Sequence, residues 1–232
     1  MSNIVLLTAG GVGSRTHQCI PKQFLSVNDK PIIIYTMETF QNHPEIDKIV
    51  VVCLDGWENC LESYAKQFNI TKLEKIVLGG KSGFESITNG LEAIKTFADK
   101  DDIVLIHDGN RPCTSQKTIS DCIQVAKENG NAITGIPVNE VVFNKENSEL
   151  QLLNRDQLIR TQTPHGARLG YMLDIYAEAQ KKGLQNSVAF CSLLYMLHKE
   201  IFFVNGSEKN FKITYSDDID LFKGMVFLED KW

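Results

Sequence analysis

Residues 4–15 read Ile4-Val5-Leu6-Leu7-Thr8-Ala9-Gly10-Gly11-Val12-Gly13-Ser14-Arg15, an apolar, partly β-branched run that stops on glycines and a cation. The run has the length and composition of a buried strand, and the glycines mark a sharp exit from it. Glycines at such a place let backbone N–H groups turn toward an anion with no Cβ in the way, and Arg15 adds a fixed positive charge. A strand followed by a phosphate-binding loop is the reading that results. The lysine-bearing P-loop pattern is absent, and the dinucleotide fingerprint fails at its third glycine, where Thr16 stands. The three glycines alone fit a plain strand-to-helix turn equally well; Arg15 and the following Pro21-Lys22-Gln23 tip the balance toward a ligand.

Outward from this strand, short β-branched runs at 48–54, 75–78, 103–107 and 132–137 alternate with segments of helical period near 32–41, 57–68, 85–98 and 115–129. Thr114 and Ser115 are available as caps of the last helix and Gly130 as its stop. The alternation predicts an α/β fold, Rossmann-like and three-layered, with a mainly parallel twisted sheet. Ile49-Val50-Val51-Val52-Cys53-Leu54 is apolar on both faces, as a central strand buried from both sides is. The alternation breaks at 139–155, where the polar turn Asn144 to Ser148 separates two apolar stretches and predicts a projecting β-arm. Beyond it the pattern predicts helices near 167–182 and 188–198, strands at 201–204 and 211–213, and a final helix opening at Ser216. No repeat or linker interrupts the chain, so 1–232 is read as a single domain.

The 232 residues are 43% hydrophobic and 23% charged, enough to bury a core and unlike a disordered or fibrous chain. A net charge of −5 argues against extended nucleic acid as a partner. No apolar stretch is long enough for a membrane helix and no signal peptide opens the chain, so a cytoplasmic protein with no membrane partner is expected. The six cysteines lack any C-x-x-C spacing and read as reduced packing residues. Against the acidic total, the first 28 residues carry Arg15 and Lys22 and no acid, so positive charge gathers where the glycines are.

The segments Ala9-Gly10-Gly11-Val12-Gly13-Ser14-Arg15, Pro21-Lys22-Gln23-Phe24-Leu25, Gly79-Gly80 with Ser86, His107-Asp108-Gly109-Asn110-Arg111-Pro112, Thr161-Gln162-Thr163-Pro164 and Asn210-Phe211-Lys212-Ile213-Thr214 occur in order over nearly the whole chain. Together they resemble the cytidylyltransferases that activate small polyol phosphates, the methylerythritol-4-phosphate and ribitol-5-phosphate enzymes. The resemblance implies a nucleotide-diphospho-sugar transferase type of fold. It implies transfer of CMP from CTP to a small polyol phosphate, with release of pyrophosphate. Arg15, Lys22 and Lys212 are then the catalytic cations around the reacting phosphates. Ala9, Gly10, Gly11, Gly13, Gly80 and Ser86 surround the nucleotide, Asp108 helps hold Mg²⁺, and Arg111 and Arg155 bind the acceptor phosphate. The arm carrying Arg155 is expected to reach a neighbouring subunit, which implies a homodimer.

Each residue type suits its part: cations neutralise phosphate charge, and a hard carboxylate suits Mg²⁺ among phosphate oxygens. Asp108 also follows a strand at its carboxyl end, where open α/β sheets carry ligands. His107 is read as a strand residue, since an attacking phosphate needs no general base. The departures from the family pattern fall on the acceptor side: Asn139-Glu140-Val141 replaces a segment with a hydroxyl, Val188-Ala189-Phe190-Cys191 replaces an acidic one, and Gly83 replaces an arginine. Asp55-Gly56-Trp57 resembles the ribitol branch, so ribitol 5-phosphate is the favoured acceptor. The methylerythritol enzyme and a CTP-binding relative without turnover are the alternatives.

Overall fold

The computed structural model describes residues 1–11, 20–146, 149–187 and 189–229. Its centre is a seven-stranded sheet built from β1 (Asn3–Ala9), β4 (Lys48–Cys53), β5 (Leu73–Leu78), β6 (Ile103–Asp108), β7 (Asn131–Pro137), β10 (Ile159–Arg168) and β11 (Phe203–Asn205), while the short β2 (Ser26–Val27) and β3 (Lys30–Pro31) pair only with each other. The spatial order is β11-β7-β10-β6-β1-β4-β5. β1 pairs in parallel with β4 and β6, and β10 runs antiparallel to both β6 and β7. The predicted α/β architecture with a mainly parallel sheet is what the chain adopts.

Two apolar layers cover the sheet. On one face α1 (Ile32–Gln41), α2 (Glu58–Gln67) and α4 (Gln116–Asn129) pack on Val5, Leu7, Val51 and Leu105. On the other, α3 (Gly83–Ile94), α5 (Leu169–Lys181) and α6 (Phe190–Met196) pack on Leu6, Val50, Val52 and Ile106. Odd and even residues of β1 and β4 thus bury on opposite faces, which is why these strands read as unbroken apolar runs. Helix α3 comes close to the sheet only because Gly90 has no side chain; a Cβ there would stand 2.5 Å from a Leu6 methyl and 2.9 Å from one of Val52. The caps follow the sequence: Ser115 Oγ accepts from Thr118 N at the start of α4, and Gly130 closes it at φ 92°.

Three elements differ from the sequence reading. Residues 159–168 form strand β10, extending to the point where a helix was expected to begin near 167. Polar β-branched residues and Pro164 hide it, because its register with β7 shifts between Thr161 and His165, where the ladder tolerates a residue without an N–H. Phe211 to Ile213 joins no sheet; Ile213 N donates to Asn110 O instead, at 3.0 Å. α3 starts at Gly83 because Ser82 Oγ accepts from Glu85 N while Glu85 accepts from Lys81 N, a capping arrangement the sequence reading passed over.

The arm exists as β8 (Phe143–Glu146) and β9 (Glu149–Leu152), paired only with each other. Phe143, Leu150 and Leu152 share one face of it and are exposed. A small cluster of Val27, Ile32, Ile213, Phe222 and Val226 seats the last helix, α7 (Ser216–Glu229), against α1. No helix among the described residues is long and apolar enough to cross a membrane.

Candidate active site

The carboxyl ends of β1 and β6 and the adjoining stretch of β10 open into a cavity of about 740 Å³. Ala9, Gly10, Gly11, Lys22, Gly80, Ser86, Asp108, Arg111 and Lys212 all line it. Every predicted site residue within the described residues is therefore there, with the exception of Arg155. Arg15 and Gly13 lie outside the described residues. The carboxylate at 108 is next to the opening turn, since Thr8 and Asp108 are register partners across β1 and β6 and Gly109 N donates to Thr8 O at 3.0 Å.

One side of the cavity is backbone and small side chains. Gly79 N donates to Cys53 O, and Gly80 N donates to Ser86 Oγ at 3.0 Å, so the turn after β5 is folded back onto the first turn of α3. A Cβ on Gly10 would stand 3.5 Å from the Gly79 Cα, in ordinary van der Waals contact, so the two glycine turns lie side by side. Gln23 clamps this side from below. Its amide, 3% exposed, donates to Ala9 O at 2.7 Å and to Gly11 O at 3.0 Å. Gln23 is a positioning residue that the sequence reading quoted within its motif but gave no role; the visible signal was an amide placed between a cation and a buried Phe24.

The other side is ionic. Asp108 Oδ2 accepts from Arg111 Nε and Oδ1 from Lys212 Nζ, both at 2.8 Å. Burial alone would raise the Asp108 pKa; Lys212 and Arg111, by charge and by hydrogen bond, override it and hold the carboxyl well below the usual carboxylate range. Asp108 is thus a carboxylate at any working pH. Arg111 Nη1 also donates to Asn210 O at 2.7 Å. Asn210, 1% exposed, accepts from Thr114 Oγ1 and donates to Thr163 O, joining the segments around 108, 163 and 212. Thr163 Oγ1 accepts from Asp108 N at 3.1 Å. These amides and hydroxyls are the part of the site that sequence reasoning did not assign, because their partners lie 47 to 96 residues away.

His107 is fully buried, its Nε2 facing Arg111 O and its ring edge-on to Phe40, so it is a strand residue as expected. The altered acceptor segment turns Phe190 inward: it is 1% exposed, stacks on Tyr176, and with Ala189 lines the cavity, while Val188 lies outside the described residues. Arg155 does not join this group. It stands at the base of the arm and donates to Asn139 O at 2.8 Å. Among the described residues no group of three or more His, Cys, Asp or Glu side chains could hold a metal by itself. A single ionised carboxylate beside Arg111 and Lys212 suits a polyphosphate with its own bound divalent ion.

Comparison with known proteins agrees with this geometry. The family model described as IspD, 2-C-methyl-D-erythritol 4-phosphate cytidylyltransferase, matches residues 3–227. The ribitol-5-phosphate cytidylyltransferase of Lacticaseibacillus paracasei is 40% identical over 230 residues, 97% of each chain. The 2-C-methyl-D-erythritol 4-phosphate cytidylyltransferase of Clostridium botulinum is 34% identical over 94% of this chain and 95% of its own. The crystal structure of the Francisella tularensis enzyme of the same name superposes with a TM-score of 0.80 at 30% identity, covering 95% of this chain and 98% of that one. The matches run from the first strand to the last helix and take in every segment that lines the cavity, so the chain belongs to the IspD family of cytidylyltransferases and is a nucleotidyltransferase.

Proposed function

We propose that this protein transfers CMP from CTP to ribitol 5-phosphate and releases pyrophosphate. The observation that carries the reading is the cavity itself, where two glycine turns, Lys22, Lys212, Arg111 and an ionised Asp108 meet around one space. The acceptor follows the relatives: a ribitol-5-phosphate enzyme is 40% identical, against 34% for a methylerythritol enzyme.

In the reaction a phosphate oxygen of the acceptor forms a bond to the α-phosphorus of CTP, and the bond from that phosphorus to the β-phosphate oxygen breaks. Charge gathers on the leaving pyrophosphate and on the oxygens of the α-phosphorus, so fixed cations are the chief catalytic resource. The attacking oxygen is already anionic, and no side chain has to remove a proton. The turns at Gly10-Gly11 and Gly79-Gly80 bind the nucleotide, with Ser86 bounding a pocket for a small pyrimidine. Lys22 and Arg15 neutralise the triphosphate. Lys212 and Arg111, freed from Asp108 when ligands arrive, grip the α-phosphate and the acceptor phosphate. Asp108 would hold Mg²⁺, which when bound draws charge from the phosphate oxygens.

A homodimer completes the site. A two-stranded hairpin is not stable by itself in water, and this one presents an apolar face of Phe143, Leu150 and Leu152 to solvent. Covering that face with a second copy brings Arg155 to the neighbouring acceptor pocket.

Pyrophosphate release is measured with CTP and Mg²⁺ against ribitol 5-phosphate, methylerythritol 4-phosphate and other polyol phosphates, with CTP binding followed separately. Turnover fastest on ribitol 5-phosphate is the expected result. Preference for methylerythritol 4-phosphate overturns the acceptor, and CTP binding without turnover on any acceptor overturns the enzyme reading in favour of a nucleotide-binding relative.

A further inference from the structure

Four buried side-chain polar atoms among the described residues have no hydrogen-bond partner: Asn3 Oδ1, His107 Nδ1, His165 Nε2 and Tyr176 OH. Of the four residues only His165 lines the cavity. Its place in the sheet says which part of the cavity it serves. His165 is the register partner of Ile106 on β6 and of Ile133 on β7, both of which pack in the layer under α3, α5 and α6. The ring therefore lies on that face, in the same wall as Ile106 and Phe190. Asp108 is two residues further along β6, on the same face, a backbone rise of about 6.6 Å beyond the Ile106 that pairs with His165. It also lies on the β10 side of β6, whereas Gly10, Gly80 and Ser86 lie on the β1 side.

The ring's other polar contact is with the Gln162 backbone, and that contact favours the protonated nitrogen, as donation to a carbonyl does. A ring that donates through one nitrogen presents a lone pair at the other. Nε2 is accordingly an acceptor, and burial, which pushes the pKa down to about 4, keeps the ring neutral. His43 shows the contrast: its Nδ1 accepts from Glu45 N and its Nε2 meets Gln116 O and Ser120 Oγ.

We propose that His165 is a specificity residue of the acceptor subsite, its Nε2 accepting a hydrogen bond from a hydroxyl of the polyol chain. The inference rests on the cytidylyltransferase reading above and adds to it the group that reads the acceptor's carbon chain. An acceptor phosphate held by Arg111 and Lys212 has its hydroxylated chain free to extend toward β10 and α6, where Phe190 supplies an apolar wall and His165 supplies an unpaired acceptor. A phosphate alone fills the ionic cluster and leaves Nε2 unpaired; a polyol phosphate satisfies both. Sites that hydrogen-bond a substrate hydroxyl discriminate strongly against analogues that lack it.

The test compares wild type with His165→Phe and His165→Gln, using ribitol 5-phosphate and its singly deoxygenated analogues. His165→Phe keeps a ring of similar size and removes the unpaired nitrogen, so a melting temperature at pH 7.5 no lower than wild type is expected. Its KM for ribitol 5-phosphate should rise roughly tenfold or more while the Kd for CTP is unchanged. His165→Gln should recover most of the loss, and wild type, unlike His165→Phe, should discriminate against one particular deoxy analogue. An unchanged acceptor KM in His165→Phe, or an equal loss of CTP affinity, overturns the inference. Absence of turnover by wild type on every polyol phosphate overturns the cytidylyltransferase reading and the inference with it, so the two failures are distinct.

Discussion

Two buried histidines make the fold sensitive to mild acid, and the size of the effect follows from their surroundings. Burial pushes both His107 and His165 down to about 4, partly offset at His107 by the Arg111 carbonyl and at both by Asp108. In the unfolded chain each ring takes a proton near pH 6.5. A folded-state value below the unfolded one means that the unfolded chain binds protons first, so stability is intact above about pH 6.5 and lost as pH falls toward 4. At pH 5 the linkage amounts to roughly 2 kcal/mol per ring, about 4 kcal/mol for the pair, before ordinary carboxylates begin to titrate. For a chain of this size that lowers Tm by roughly 8 to 16 °C between pH 7.5 and 5. Urea or thermal melts of the ligand-free protein at half-unit steps measure it. The single variants His107→Phe and His165→Phe should each remove about half of the dependence, whatever they do to stability at pH 7.5. Variants whose stability falls with pH as steeply as wild type would refute the assignment of the loss to these rings.

Lys22→Ala should lower turnover by on the order of 10² or more, because a fixed cation at developing charge is lost; steady-state pyrophosphate release checks it, and an unchanged rate removes Lys22 from the chemistry. Asp108→Asn should lower turnover by a similar order. It should also cost about 2 to 3 kcal/mol in urea unfolding, somewhat under the range for a fully buried pair because Lys212 is 39% exposed and can turn to water. Arg155→Ala should raise the acceptor KM with little change in CTP affinity, and a mixed dimer with Lys212→Ala should regain part of one site's activity if the arm serves the neighbouring subunit.

The strands at 4–8, 48–54 and 103–107 were legible because they are apolar on both faces, and a strand of that kind has few places to go except the middle of a sheet. The glycine turns, Lys22 and Asp108 were legible for a related reason: residues that must sit at strand ends or turns carry local marks of it. Strand β10 was not, since its side chains are mostly polar and its edges are satisfied by β6 and β7, from which the arm separates it along the chain. Nor was the segment at 211–213 separable from a strand, because what distinguishes them is a partner strand. Asn110, Asn210 and Gln23 look like any surface amides until the fold buries them.

The sequence by itself determined the α/β layering and the chemical character of the site, because burial on both strand faces and glycines at a strand's end are written in neighbouring residues. Only the tertiary structure decided that Asp108, Arg111 and Lys212 form one ionic cluster and that, of the described histidines, His165 alone lines the cavity, carrying a buried nitrogen without a partner. Both depend on contacts between strands and loops far apart along the chain. Pairing of that kind is set by how the sheet closes and has no local signature for a sequence to carry.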